Sequence, residues 1–186
     1  MHINLRAYLW YKLFNSLFFG LTVGSIFVLY TPLEPSVFSL GGIVLAIGLL
    51  IVAKVYEKMM NLLVFYGVSL GVELLTLAII VSLLVFKFHY MSALFIYASY
   101  QATFVFGNYL VRIETLMLKK TALLSFADVM KQKGYLIGMV ISYFFYKGLE
   151  RFGIEDKQTQ VYDLHALLLL LQLVIIFLVF KAFRSR

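Results

Sequence analysis

Glu73 is the residue with the most chemistry to offer. It lies near the middle of GVSLGVELLTLAIIVSL, residues 67–83, a run of apolar and small side chains with no other ionisable group. If this run crosses a bilayer, an unpartnered anion there is expensive. The carboxylate is therefore expected to be protonated, paired with a polar group on another helix, or open to a water-filled cavity, and the function it suggests is a proton or coupling-ion site. At helical spacing Ser69 and Thr76 share its face, which argues against a lipid-facing position.

Two other segments carry polar side chains in register. Tyr97, Gln101, Phe104, Asn108, Arg112 and Thr115 step by three or four residues and predict one continuous polar-aromatic stripe. Upstream, Tyr11, Asn15 and Thr22 share a face, with Gly20 and Gly24 roughly opposite. The candidates for a solute or ion path are thus Asn15, Thr22, Glu73, Tyr97, Gln101 and Asn108. The competing reading is interhelical hydrogen-bond glue, worth only about 0.6 kcal/mol per pair in a membrane. Arg112 and Glu114 are expected to snorkel at a helix end, where a charge is cheap.

Other chemistries lack their residues. Without cysteine there are no disulfides and no thiolate sites. His2, His89 and His165 are too scattered for a metal motif, although His89 and His165 share one boundary. No nucleophile and base pair and no paired carboxylates are visible, so the chain is read as a non-enzyme without cofactor or metal. The net charge of +7 is spread over short loops, without an aromatic-interleaved basic region for nucleic acid.

The elements that must position these residues follow from composition. Hydrophobic residues make up 63% of the 186 and charged ones 13%, and the mean hydropathy is +0.95. This is an integral, multi-pass membrane protein. A spanning helix needs about 20 apolar residues, and windows at 13–30, 37–56, 61–86, 91–116, 134–150 and 163–183 predict an all-α domain of six transmembrane helices over residues 1–186. The first is expected to be retained, since no small-residue cleavage site follows its basic start. With the N-terminus inside, 12 of the 16 Lys and Arg fall in cytoplasmic segments and 4 outside, among them Lys87. Both termini, including Arg186, are then cytoplasmic. The same count puts 117–133 on that side, partly as an amphipathic surface helix, in what is expected to be a bacterial cytoplasmic membrane.

Glycine spacing separates packing helices from polar ones. Gly41 and Gly48 share a face of the second helix, Gly134, Gly138 and Ser142 step by four along the fifth, and Gly67 and Gly71 lie opposite Glu73 on the third. Such small-residue steps let helix backbones approach. The sixth helix is apolar apart from Gln172, and little chemistry is expected of it.

Polar stripes on the first and fourth helices, glycine-rich second and fifth helices and an apolar sixth resemble one six-helix half of a major facilitator superfamily transporter. GLLIVAKVYEKMMN stands at that family's loop between helices two and three, with Gly48, Lys54 and Lys58 but no aspartate; SFADVMKQKGYLIG, with Asp128 and Gly134, is similar to the stretch entering its fifth helix. The arginine that precedes the glutamine in the fourth helix of proton-driven drug exporters has no counterpart before Gln101. The resemblance implies first and fourth helices lining a path for a small solute. It also implies a second half, which a homodimer would supply. The alternative is a non-catalytic membrane subunit, either the substrate-capture component of an importer or an assembly partner.

Overall fold

The computed structural model describes residues 2–86 and 88–184, so the topological assignments of Lys87 and Arg186 lie outside the described residues. A short strand β1 (His2–Ile3) leads into α1 (Leu5–Leu29), α2 (Pro35–Lys54), the one-turn α3 (Tyr56–Met59), α4 (Leu62–Val85), α5 (Tyr90–Val105), α6 (Gly107–Leu118), α7 (Thr121–Arg151) and α8 (Lys157–Ala182), followed by β2 (Phe183–Arg184). The fold is all-α apart from that two-residue strand pair.

Local chemistry sets the helix ends. Asn4, Asn61 and Asp156 cap α1, α4 and α8 by accepting from the amides of Ala7, Val64 and Thr159 at 3.2, 3.0 and 2.8 Å. Pro35 opens α2, where its missing N–H costs nothing. The hydroxyl and amide of Thr159 hold the Asp156 carboxyl below the usual aspartate pKa.

Two elements depart from the expected windows. The fourth window is two helices: Phe106 N–H bonds back three residues to Thr103, and Gly107, poorly suited to a helix interior, begins α6. The stripe from Tyr97 to Thr115 is therefore interrupted. The fifth window is the C-terminal part of the 31-residue α7, which takes in most of the segment expected as a separate surface helix. Residues 121–133 contain no Pro or Gly, so nothing local ends a helix there.

Among the described residues, α1, α2, α4 and α8 are long and apolar enough to cross a membrane. The case is clearest for α2, which buries only Val52 while exposing Leu40, Ile43, Val44, Ile47, Leu50 and Ile51. Water would not tolerate that surface, whereas lipid is its natural solvent. The chain is a membrane-embedded helical protein.

The centre of the bundle is α1. Its closest neighbour is α7, and the two run parallel: an added Cβ at Gly134 would collide with the carbonyl of Leu13, and one at Gly138 with the carbonyl of Leu17 and the Cα of Gly20. One turn on, Ser142 Oγ donates to the Leu21 carbonyl at 3.1 Å. Antiparallel α8 packs on both α1 and α4, while α2 runs parallel to α5, with Gly41 under Tyr97 and Gly48 under Val105. Gly67 and Gly71 do not pack. A Cβ at either meets nothing within 4 Å, because α4 turns its Ser69, Glu73 and Thr76 face inward and leaves the glycine face open.

At one end, β1 pairs antiparallel with β2, Ile3 opposite Phe183, and Asn4 N–H donates to the Ala182 carbonyl at 2.8 Å. The first and last described elements, β1 and β2, thus lie on one side of the bundle. Tyr8, Phe65 and Phe183 seal that end with edge-to-face ring contacts at 5.1 to 6.1 Å.

Leucine at Gly138 must displace the α1 backbone, which cannot yield as a side chain does. Gly138→Leu should cost about 1–3 kcal/mol or more and lower the melting temperature in detergent. Leu170→Ala, at a position 64% exposed, should change it little. Equal melting of the two variants would disprove the close α1–α7 contact.

Candidate functional site

The buried face of α4 places Glu73, 1% exposed, where α1 and α8 meet it. Tyr11 Oη and Asn15 Nδ2, one turn apart on α1, donate to its Oε1 at 2.9 and 2.8 Å. From α8, Gln172 Nε2 donates to its Oε2 at 2.8 Å and to its backbone carbonyl at 2.9 Å. Because Gln172 Nε2 faces two acceptors, the orientation of its amide is determined. Every partner is a neutral donor, and among the described residues no Lys, Arg or His forms an ion pair with Glu73.

A second polar node lies toward the end of the bundle that holds β1 and β2. Glu114 of α6, 3% exposed, receives Lys12 of α1 at 3.1 Å and Lys131 of α7 at 3.0 Å, both on Oε2. Lys131 also reaches the exposed Asp128 at 3.1 Å. Partial burial opposes the charge on Lys131, but Glu114 and Asp128 outweigh it and hold its ammonium pKa above the usual lysine value. The Lys12 ammonium lies 5.2 and 5.5 Å from the ring centres of Tyr8 and Tyr11. Glu114 Oε1 and Tyr8 Oη are both buried without a hydrogen-bond partner. Glu114 therefore does not snorkel as expected; α1 and α7 close over it and supply two cations. Arg112, two residues earlier on α6, is exposed and lies 5.9 Å from the Tyr56 ring.

The other path candidates do not converge on Glu73. Thr22 is buried but spends its hydroxyl on the Phe19 carbonyl of its own helix, at 3.0 Å. Tyr97 donates to the Phe38 carbonyl of α2 at 3.2 Å and stacks edge-on against Tyr30 and Phe38. Gln101 lies in the cleft between α2 and α5, with a buried and unpartnered Oε1. Asn108, just past the break between α5 and α6, is exposed. His165 is 1% exposed with Nδ1 against the Val161 carbonyl at 2.7 Å. Among the described residues no three His, Asp or Glu groups gather as a metal site.

Sequence reasoning placed Asn15 and Glu73 on polar faces but did not name Tyr11, Lys12, Glu114 and Lys131 among its candidates. It also read the lone Gln172 as unimportant. An amide isolated in a run of leucines was the available signal, since a buried polar group in lipid demands a partner.

No family model, curated protein or solved structure matches this chain.

Replacing Glu114 by glutamine leaves the largely buried Lys12 ammonium, 14% exposed, without its carboxylate. A broken buried pair costs about 3–5 kcal/mol, and the partial exposure of both lysines places the expected loss toward the lower end of that range. Asp128→Asn, on a side chain 70% exposed, should cost about 1 kcal/mol or less. Unfolding of the two variants in detergent checks the difference.

Proposed function

We propose that the chain is a membrane transporter half unit that moves a small solute, with six membrane crossings, both termini cytoplasmic and a homodimer completing a twelve-helix arrangement. The observation that carries this reading is the Glu73 site, a membrane-buried carboxylate held by three neutral donors from two other helices. An intramembrane ionisable group of this kind is the usual seat of ion coupling.

Helix pairing supports the same reading. With α5–α6 taken as one crossing, the principal pairs are α1 with α7, α1 with α8, α2 with α5, α4 with α5 and α4 with α8. Exchanging the first three crossings for the last three, in order, returns the same set. That self-mapping is expected of an inverted repeat, the construction used by many transporters. The broken fourth crossing and the shorter apolar part of α7 fit helices shielded by protein on one side. Gly67 and Gly71, an open small-residue pair on α4, favour the second reading, a non-catalytic subunit that docks a partner helix. Detergent-purified mass separates the two: a lone dimer supports transport, and obligatory co-purification of other chains supports the subunit.

Cysteines introduced at the exposed Ser36 and Ser125 should label from opposite sides in intact cells, Ser36 from outside. Labelling of both from outside rejects the proposed topology.

The function itself is tested in proteoliposomes by screening small solutes for flux driven by a pH or sodium gradient. Glu73→Gln should keep the fold while abolishing the gradient dependence of any flux found. Glu73→Leu should in addition destabilise the bundle by about 1–3 kcal/mol, because Tyr11, Asn15 and Gln172 are left unsatisfied. Flux and stability unaltered in both variants would refute the assignment.

A further inference from the structure

The two buried nodes share one face of α1. Tyr8, Tyr11, Lys12 and Asn15 recur at helical spacing, joining Glu114 at one end of the face to Glu73 at the other. We propose that this face is a proton path connecting the buried Glu73 carboxylate with the solvent beside Lys131 and Asp128, and that the ion handled at Glu73 is H⁺. The inference deepens the reading of Glu73 as a coupling site.

The donor pattern selects the ion. Each side chain around the carboxylate turns an N–H or O–H toward it. An alkali or alkaline-earth cation seated there would meet the positive ends of those groups and would lack the oxygen ligands it requires. A proton needs one free lone pair. Tyr11 already aims its O–H at Oε1 at 2.9 Å, so Oε1 is where a proton handed over by Tyr11 arrives.

The route is built from groups that gain and lose protons or pass them through a hydroxyl. Asp128 and Lys131 reach solvent, with side chains 70% and 27% exposed. Lys131 and Lys12 meet on the same oxygen of Glu114, and Lys12 lies against the rings of both Tyr8 and Tyr11. Lys12 and the Tyr11 hydroxyl each lie within the electrostatic reach of both carboxylates, Glu73 and Glu114. Tyr8 lies within the electrostatic reach of Glu114. In the inward step Tyr11 gives its proton to Glu73 Oε1 and takes one from the Lys12 ammonium, which moves to the hydroxyl from its place 5.5 Å from the Tyr11 ring centre. Lys12 is left neutral and is recharged from Lys131 through Glu114, and Lys131 is recharged from solvent. No net charge is created along the path beyond the proton delivered. The groups facing Glu73 are Tyr11, Lys12 and Asn15 from α1 and Gln172 from α8; those facing Glu114 are Tyr8, Tyr11 and Lys12 from α1 and Lys131 from α7.

Infrared difference spectroscopy on the full chain in lipid nanodiscs tests the path without a solute. Wild type should show a carboxylic-acid C=O band that titrates with pH and is missing in Glu73→Gln. On transfer to D₂O the shift of that band should be at least about tenfold slower in Tyr11→Phe and in Lys12→Met, the loss expected when one relay group is removed. Tyr146→Phe, which removes an unpartnered hydroxyl outside the path, should exchange at the wild-type rate. If Lys12→Met fails to fold, Tyr11→Phe decides alone, since it removes a single oxygen atom. A wild-type spectrum without a titrating Glu73 band, or wild-type exchange rates in every path variant that folds, would overturn the proposal. A chain that moves no solute yet shows the band and its slowed exchange keeps the path and loses the transport reading.

Discussion

An anionic carboxylate in a hydrocarbon layer has no water to turn to, so its solvent must be built from the protein. Glu73 imposes that requirement on the whole bundle. Three donors have to arrive from outside its own helix, and they arrive from two directions, α1 and α8. The contact of α8 with α4, and the face that α1 turns toward α4, both serve this one group. Gln172 binds the Glu73 backbone carbonyl as well as the side chain, which ties the height of α8 to that of α4.

The need is met by giving α1 two faces. One carries Tyr8, Tyr11, Lys12 and Asn15, and its hydrogen bonds and ion pairs reach α4 and α6. The other carries Gly20, where α7 closes to backbone contact through Gly134 and Gly138. Lipid provides no hydrophobic driving force between helices, so close van der Waals packing and interhelical hydrogen bonds must hold α1 in place. Glu114 adds a charged clasp at one end, drawing together α1, α6 and α7. The clasp and the glycine contact reinforce each other, since Lys131 stands one turn before Gly134 on the same helix.

The outer helices obey a different rule. On α2 only Val52 is buried, and the helix is held to α5 by Tyr97 over Gly41 and by Val105 over Gly48. Its remaining surface is aliphatic, suited to lipid. Among the described residues, the buried polar atoms that stay unpartnered outside the Glu73 and Glu114 nodes belong to Ser69 of α4, Gln101 of α5 and Tyr146 of α7.

Much of this was legible in the residues because lipid leaves a strong compositional mark. The apolar runs located α1, α2, α4 and α8, and the wheel put Ser69, Glu73 and Thr76 on one face, whereas α1 and α8 begin at the caps Asn4 and Asp156, ahead of the apolar windows at 13–30 and 163–183. Glycine spacing along α7 and α2 carried the close contacts, because only a missing side chain permits them, but the same spacing at Gly67 and Gly71 led to no contact within the chain. Periodicity marks a face without naming its neighbour. The partners of Glu73 and the burial of Glu114 were decided by tertiary structure alone: Tyr11 and Gln172 are 161 residues apart, and whether a carboxylate near a helix end meets water or two lysines depends on which helices close over it.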